Sequence, residues 1–182
     1  MGFAKLVLPD QKSSNGYRSM KYYKNTRSIN NLVRYALAKD KDYIKDSRVK
    51  PKVRYCDSNC VDISDPRKAV EQIKAVQKFF KKTDGRKMYH YILSFPDEIK
   101  DAKEVYEAGL EIMNKFFNEY QTIFAVHEDT DHLHIHFVFN SVSYLTGKKW
   151  CINFKEFYWL KEDIECMANS HFHKNDIMYL LE

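Results

Sequence analysis

Between residues 127 and 136 the chain reads His-Glu-Asp-Thr-Asp-His-Leu-His-Ile-His, and Phe137-Val138-Phe139-Asn140 follows directly. Four of the seven histidines fall in those ten residues. Side chains at spacing two share one face of a β-strand, so His132, His134 and His136 would project together, with Asn140 further along that face. Imidazoles converging from a rigid strand suit a metal ion better than an apolar core. The chemistry this points to is metal-assisted. The alternative is a polar turn carrying satisfied histidines.

Positioning such a site needs a hairpin. Gln121 to His127 and Leu133 to Ser143 both read as strands, and the acidic turn between them makes an antiparallel pair. His127 then closes one strand while His134 and His136 lie on its neighbour, so three nitrogens face one point and leave positions open for substrate. His132 shares the parity but falls in the turn. Asp129 is placed to accept a hydrogen bond from a ligand imidazole and fix its tautomer. Three neutral imidazoles favour zinc, manganese or cobalt by ligand softness.

The rest of the chain supplies strands and helices around that hairpin. Phe3 to Leu8 reads as a first strand stopped by Pro9. Residues 10–27 are polar and tyrosine-bearing, and read as a loop or mobile arm. Ser28 is the expected cap of a helix with Ile29, Leu32, Val33, Ala36 and Leu37 on one stripe. Val53 to Cys56 is a short strand after a charged connection. A second helix starts at Pro66 and buries Val70, Ile73, Val76 and Phe80, since proline suits the first helical turn. Lys87 to Phe95 is a strand, and 101–118 a third helix with Val105, Ala108, Ile112 and Phe116 inward. Asn153 caps a fourth helix to about Ala168, and Asp176 to Leu181 reads as a last short strand. The fold class expected is α+β: a central, mostly antiparallel β-sheet with flanking helices in one domain over 1–182.

Bulk properties bound the function. With 182 residues and 44% hydrophobic composition, the chain can bury a real core. No apolar run is long enough to cross a bilayer, and the start is not a signal peptide, so a cytoplasmic protein without membrane insertion is expected. Four scattered cysteines, Cys56, Cys60, Cys151 and Cys166, read as reduced and mostly structural thiols. Charge is unevenly spread: residues 1–90 hold 22 Lys and Arg against 9 Asp and Glu, while 91–182 hold 8 against 16. A basic half is the footprint of a nucleic-acid binder, although a charge run is also an ordinary solvated surface. Arg18, Lys21, Lys24, Arg27, Arg34, Lys50, Lys52 and Arg54 are candidate phosphate contacts, with nearby tyrosines available for base stacking. His90 and Ser94 share a strand face and could approach DNA or the metal shell. His171 and His173 read as surface residues.

The pattern His127-x-Asp129-Thr130, His134-Ile135-His136 and Asn140 resembles the metal motif of conjugative relaxases, the MobA/VirD2 family of HUH endonucleases. Met88 to Phe95 resembles that family's strand ending in Ser-Phe. The helix at 101–118, the Ser143–Lys149 turn, the helix start at Asn153–Tyr158, and Asn59-Cys60 before the Pro66 helix also agree. The resemblance covers about residues 59–180, and 28–40 more weakly. It implies a two-layer or three-layer sandwich that nicks one DNA strand at a transfer origin through a 5′-phosphotyrosine link. It also implies Mg²⁺ or Mn²⁺ as cofactor, single-stranded or hairpin origin DNA as substrate, and relaxosome accessory and coupling proteins as partners. Relatives continue into further domains, so 1–182 would be a nicking domain of a longer protein.

Such relaxases carry the nucleophile near the N-terminus on a helix reading hydrophobic-x-Tyr-hydrophobic. Leu32-Val33-Arg34-Tyr35-Ala36-Leu37 matches, which makes Tyr35 the first candidate; Tyr17, Tyr22, Tyr23 and Tyr43 are the others. On a helical wheel Tyr35 flanks the buried stripe, where a ring packs while its hydroxyl stays accessible. Replication-initiator and transposase versions place their tyrosine after the histidines, so the order here favours a relaxase. A non-catalytic DNA- or metal-binding protein that kept the fold is the alternative from another class.

Overall fold

The protein is described by a computed structural model over residues 5–7, 26–37, 53–129 and 131–179, with side chains over 29–37, 53–129 and 131–172. The elements run β1 (Lys5–Val7), α1 (Thr26–Ala36), β2 (Val53–Asn59), α2 (Pro66–Phe79), β3 (Met88–Ser94), α3 (Ala102–Phe116), β4 (Tyr120–His127), β5 (His134–Ser143) and α4 (Phe154–Tyr179). The strands form one sheet in the order β1-β3-β5-β4-β2, with every neighbouring pair antiparallel. β5 is therefore central, with β3 and β4 on its two sides.

The period of two along β5 decides the layers. Ile135, Phe137 and Phe139 pack with Val105 and Ile112 of α3 and with Ile164 and Ala168 of α4. On the opposite face, Val138 of β5, Ile123 of β4 and Met88 of β3 meet Ile29, Leu32, Val33 and Ala36 of α1 and Ala69, Val70 and Ile73 of α2. The result is a three-layer sandwich, the thicker of the two forms expected. Each apolar side chain fully buried this way contributes about 1.5–3 kcal/mol. α3 approaches β4 so closely that a Cβ on Gly109 would lie 2.7 Å from the Phe124 ring, which ties that position to glycine.

Helix starts follow local chemistry. Asp65 accepts from the Arg67 backbone N–H ahead of Pro66, and Asp101 accepts from that of Lys103. Asn153 and Glu156 form a reciprocal box at the start of α4: Glu156 N–H donates to Asn153 Oδ1, and Asn153 N–H donates to Glu156 Oε2.

Several boundaries differ from expectation. α1 begins at Thr26, so Ser28 lies inside the helix and does not cap it. β2 extends to Asn59 because it pairs along β4 as far as Thr122. In α2, Gln77 is buried while Val76 and Phe80 are only half-buried, since Gln77 bonds into the sheet. Phe117, not Phe116, is the buried aromatic at the end of α3. The last strand expected over 176–181 is not formed over 176–179: α4 continues to Tyr179. Its apolar residues come as adjacent pairs, Ile177-Met178 and Leu180-Leu181, and adjacent pairs are not the alternation of a half-buried strand. The polar arm lies outside the described residues, apart from Thr26 and Arg27, which α1 takes in. No described helix is long and apolar enough to cross a membrane.

Candidate metal centre and active site

The hairpin closes on two histidines. His127, the last residue of β4, stands directly opposite His134, the first of β5, and His136 pairs with Ala125 two residues further in. Beyond the strand ends, the Phe95 N–H donates to the Leu133 carbonyl and anchors the turn to β3. Nitrogens of His127, His134 and His136 all lie within 4.8 Å of one another, and among the described residues no other group of metal-ligating side chains is so placed. His127 and His136 are buried and His134 is half-buried, so the cluster has a closed floor and one more open side.

Hydrogen bonds set which nitrogen of each ring is left to a cation. His127 Nε2 donates to the Ala36 carbonyl at 3.2 Å, which leaves Nδ1 as that ring's lone pair. His134 Nδ1 donates to the His132 carbonyl at 3.1 Å, which leaves Nε2. His136 Nδ1 shares a proton with His90 Nε2 at 2.7 Å, so Nε2 is the nitrogen outside that bond. Imidazoles with one nitrogen engaged in a hydrogen bond and with ligand atoms within 4.8 Å of one another suit a transition metal, and an ion fits here. Asp129 Oδ1 lies 3.6 Å from His134 Nε2, the nitrogen left to the cation. The tautomer-fixing partner of His134 is thus the His132 carbonyl, and the carboxylate sits on the cation side instead. His132 points elsewhere, to Asp97 at 2.7 Å.

Tyr35 closes the other side. The stripe of Ile29, Leu32, Val33 and Ala36 docks α1 on the sheet, and Tyr35 lies on its flank with 44% of its surface exposed. Its ring stands edge-on to His136 with centroids 5.1 Å apart, and lies 6.0 Å from His127 and 6.1 Å from His90. The Ala36 carbonyl belongs to the last turn of α1, where intrahelical partners run out. His127 therefore satisfies the helix end and tethers the neighbour of Tyr35 in one contact.

The family model for the MobA/VirD2-like relaxase nuclease domain matches residues 40–171. The chain belongs to this family. It is similar to a protein named rlx from Staphylococcus aureus, with 32% identity over 103 residues, or 57% of this chain and 31% of the relative. The group II intron-interrupted relaxase LtrB of Lactococcus lactis subsp. cremoris shares 36% over 64 residues, and protein TraI of Escherichia coli 35% over 81. These cover 34% and 41% of the chain but only 11% and 10% of those proteins. The chain thus spans about a third or less of the curated relatives it matches. Its fold resembles a structure from work on the molecular basis of vancomycin resistance transfer in Staphylococcus aureus. That likeness has TM-score 0.60 and 14% identity, covering 85% of this chain and 91% of the other.

Other residues singled out by sequence fall unevenly on this relaxase domain. Ser94 is half-buried on β3 opposite His134, on the cluster face. Arg34 and Arg54 are exposed, Arg54 with its guanidinium 5.9 Å from the Tyr55 ring. Arg18, Lys21, Lys24, Lys50, Lys52, Tyr17, Tyr22, Tyr23 and Tyr43 lie outside the described residues, as does the side chain of Arg27. His90, expected near the DNA or the metal shell, is 6% exposed, and its Nε2 lies 2.7 Å from His136 Nδ1 beside the cluster. His171 is not a surface residue: α3 packs against it and Glu111 lies 3.4 Å from its Nδ1. None of the four cysteines forms a disulfide, and Cys60, Cys151 and Cys166 are exposed where structural thiols were expected.

Asn140 has a different task from the histidines whose face it shares. It accepts from Gln77 Nε2 and the Val142 N–H, and donates to Gln121 Oε1 and the Ile73 carbonyl. Both lone pairs and both N–H groups are used. The amide thus ties α2 to β4 and β5 beneath the core.

Proposed function

We propose that this relaxase domain nicks and rejoins one strand of DNA at a transfer origin, with Tyr35 as nucleophile and His127, His134 and His136 holding a divalent cation. The observation that carries the reading is the Tyr35 ring lying edge-on to His136, half-exposed, over the three-histidine cluster. Tyr35 Oη attacks a backbone phosphorus. The new Oη–P bond replaces the P–O3′ bond, and the proton lost by the phenol ends on the departing 3′ oxygen. The phosphodiester linkage is exchanged and not hydrolysed, so a 3′ hydroxyl reverses the step without any nucleotide cofactor. The cation, when bound, polarises the scissile phosphate and offsets charge building on its oxygens.

The chain's own residues prepare that reaction. The docked stripe of α1 and the His127 bond to Ala36 hold the phenol at the site, which lowers the ordering cost of attack. Asp129 adds negative charge beside His134 and favours a cation there. Manganese is the expected ion in vitro, because nitrogen-rich sites bind it better than magnesium. Single-stranded or hairpin origin DNA is the substrate, and relaxosome accessory and coupling proteins are the partners in transfer.

The test is incubation with Mn²⁺ and single-stranded oligonucleotides tiled across the element that encodes the chain, read as a covalent adduct on a denaturing gel. An adduct lost in Tyr35→Phe and reduced in His134→Ala supports the assignment. Adduct persisting in Tyr35→Phe removes Tyr35 as nucleophile. No adduct with any tile favours a DNA-binding domain that kept the fold without the chemistry.

A further inference from the structure

We infer that His90 is a positioning residue that fixes His136 as a metal ligand by accepting its Nδ1 proton. The inference rests on the metal-centre reading above and names a residue outside the ligand set. His90 comes from β3 and His136 from β5, and the two rings sit 4.9 Å apart at 34° with their nitrogens at 2.7 Å. Both are buried, so water is a poor substitute for either partner. Register explains the reach: His90 pairs with Val138 and His136 with Ile92, which makes the two histidines diagonal neighbours on one face.

Only one proton fits between the two nitrogens. If His90 donates it, His136 Nδ1 is the acceptor and its remaining proton must sit on Nε2, the atom that faces the cluster. That tautomer cannot ligate through Nε2. If His136 donates, its Nε2 carries the lone pair that ligation needs, and His90 carries its own proton on Nδ1. Ligation by His136 therefore requires His90 as acceptor, and the paired tautomers change together. An acceptor on the far nitrogen also makes the ligating imidazole more basic and holds its plane. The cation-ligating group contains His127, His134 and His136 but not His90, which agrees with a supporting place. Tyr35 packs on both rings, so the same bond also holds the surface against which the phenol rests.

The experiment compares Mn²⁺ affinity, by titration on the folded chain without DNA, for the unmodified protein, His90→Phe and His90→Gln. Phe fills the volume without an acceptor; Gln places an amide oxygen near the position of the imidazole Nε2. Expected are a loss of roughly 10- to 100-fold for His90→Phe and substantial recovery in His90→Gln. Unchanged affinity in His90→Phe overturns the inference, as does an equal loss in a folded His90→Gln. Should His90→Phe not fold, ¹⁵N spectra of the unmodified Zn²⁺-loaded chain decide. His136 protonated at Nδ1 supports the inference, and protonation at Nε2 overturns it. An unmodified chain that binds no divalent cation sinks the metal-centre reading as well. One that binds Mn²⁺ regardless of residue 90 sinks only this inference.

Discussion

At the residue scale, the proposed site divides labour between a phenol that would react and imidazoles that would hold a cation. Tyr35→Phe removes one oxygen from a half-exposed ring, so the fold and Mn²⁺ affinity are expected to stay while adduct formation falls to background. Parallel titration and gel assays on the same preparation check this, and a matching loss of metal affinity would make Tyr35 a ligand instead. A second prediction concerns Tyr106, whose hydroxyl donates to Asp57 Oδ2 at 2.7 Å. That bond, followed by burial and the carboxylate's charge, raises the phenol from 10.0 to about 12. A folded-state value above the unfolded one stabilises below the unfolded pKa and is lost as pH rises through the folded one. Stability should therefore drop between about pH 10 and pH 12, and Tyr106→Phe should flatten that drop in denaturant melts at stepped pH.

At the element scale, α1 matters most. It reaches the cluster through its docked stripe and the tether from His127 to Ala36. Ile29→Ala empties a fully buried position and should cost about 2–5 kcal/mol. The adduct rate should fall by a larger factor than Mn²⁺ affinity, because Tyr35 rides on α1 while the proposed ligands ride on β4 and β5. Equal losses in both would show that the cluster depends on the helix as much as the phenol does. The apolar stripe of α1 and the alternation in β5 were legible from spacing alone. Helix ends were less so: the extension of α4 to Tyr179 depends on continuing a helix already started by the Asn153–Glu156 box, which no local pattern near 176 announces.

At the scale of the whole molecule, the described elements of the basic N-terminal half and of the acidic C-terminal half share one sandwich. α1 from the first half lies on strands from the second. Single-stranded DNA affinity should fall steeply with salt, by about 0.7 in the logarithmic slope for each phosphate neutralised. Binding measured across a salt series checks it, and a flat response would remove the basic half from the DNA surface. Family membership speaks for the nuclease domain matched over 40–171.

By itself the sequence determined the α+β class, the hairpin, the histidines that share a face, and a tyrosine on the flank of an amphipathic helix. These follow from periods of two and 3.6 residues, which are local. Only the tertiary structure brought Tyr35 to within 5.1 Å of a ring about a hundred residues away. It also paired His90, a candidate for the DNA or the metal shell, with His136, and made Asn140 a brace under α2. Strand order and register decide such meetings. Both are set by which faces bury together, a global balance that no short stretch of the chain contains.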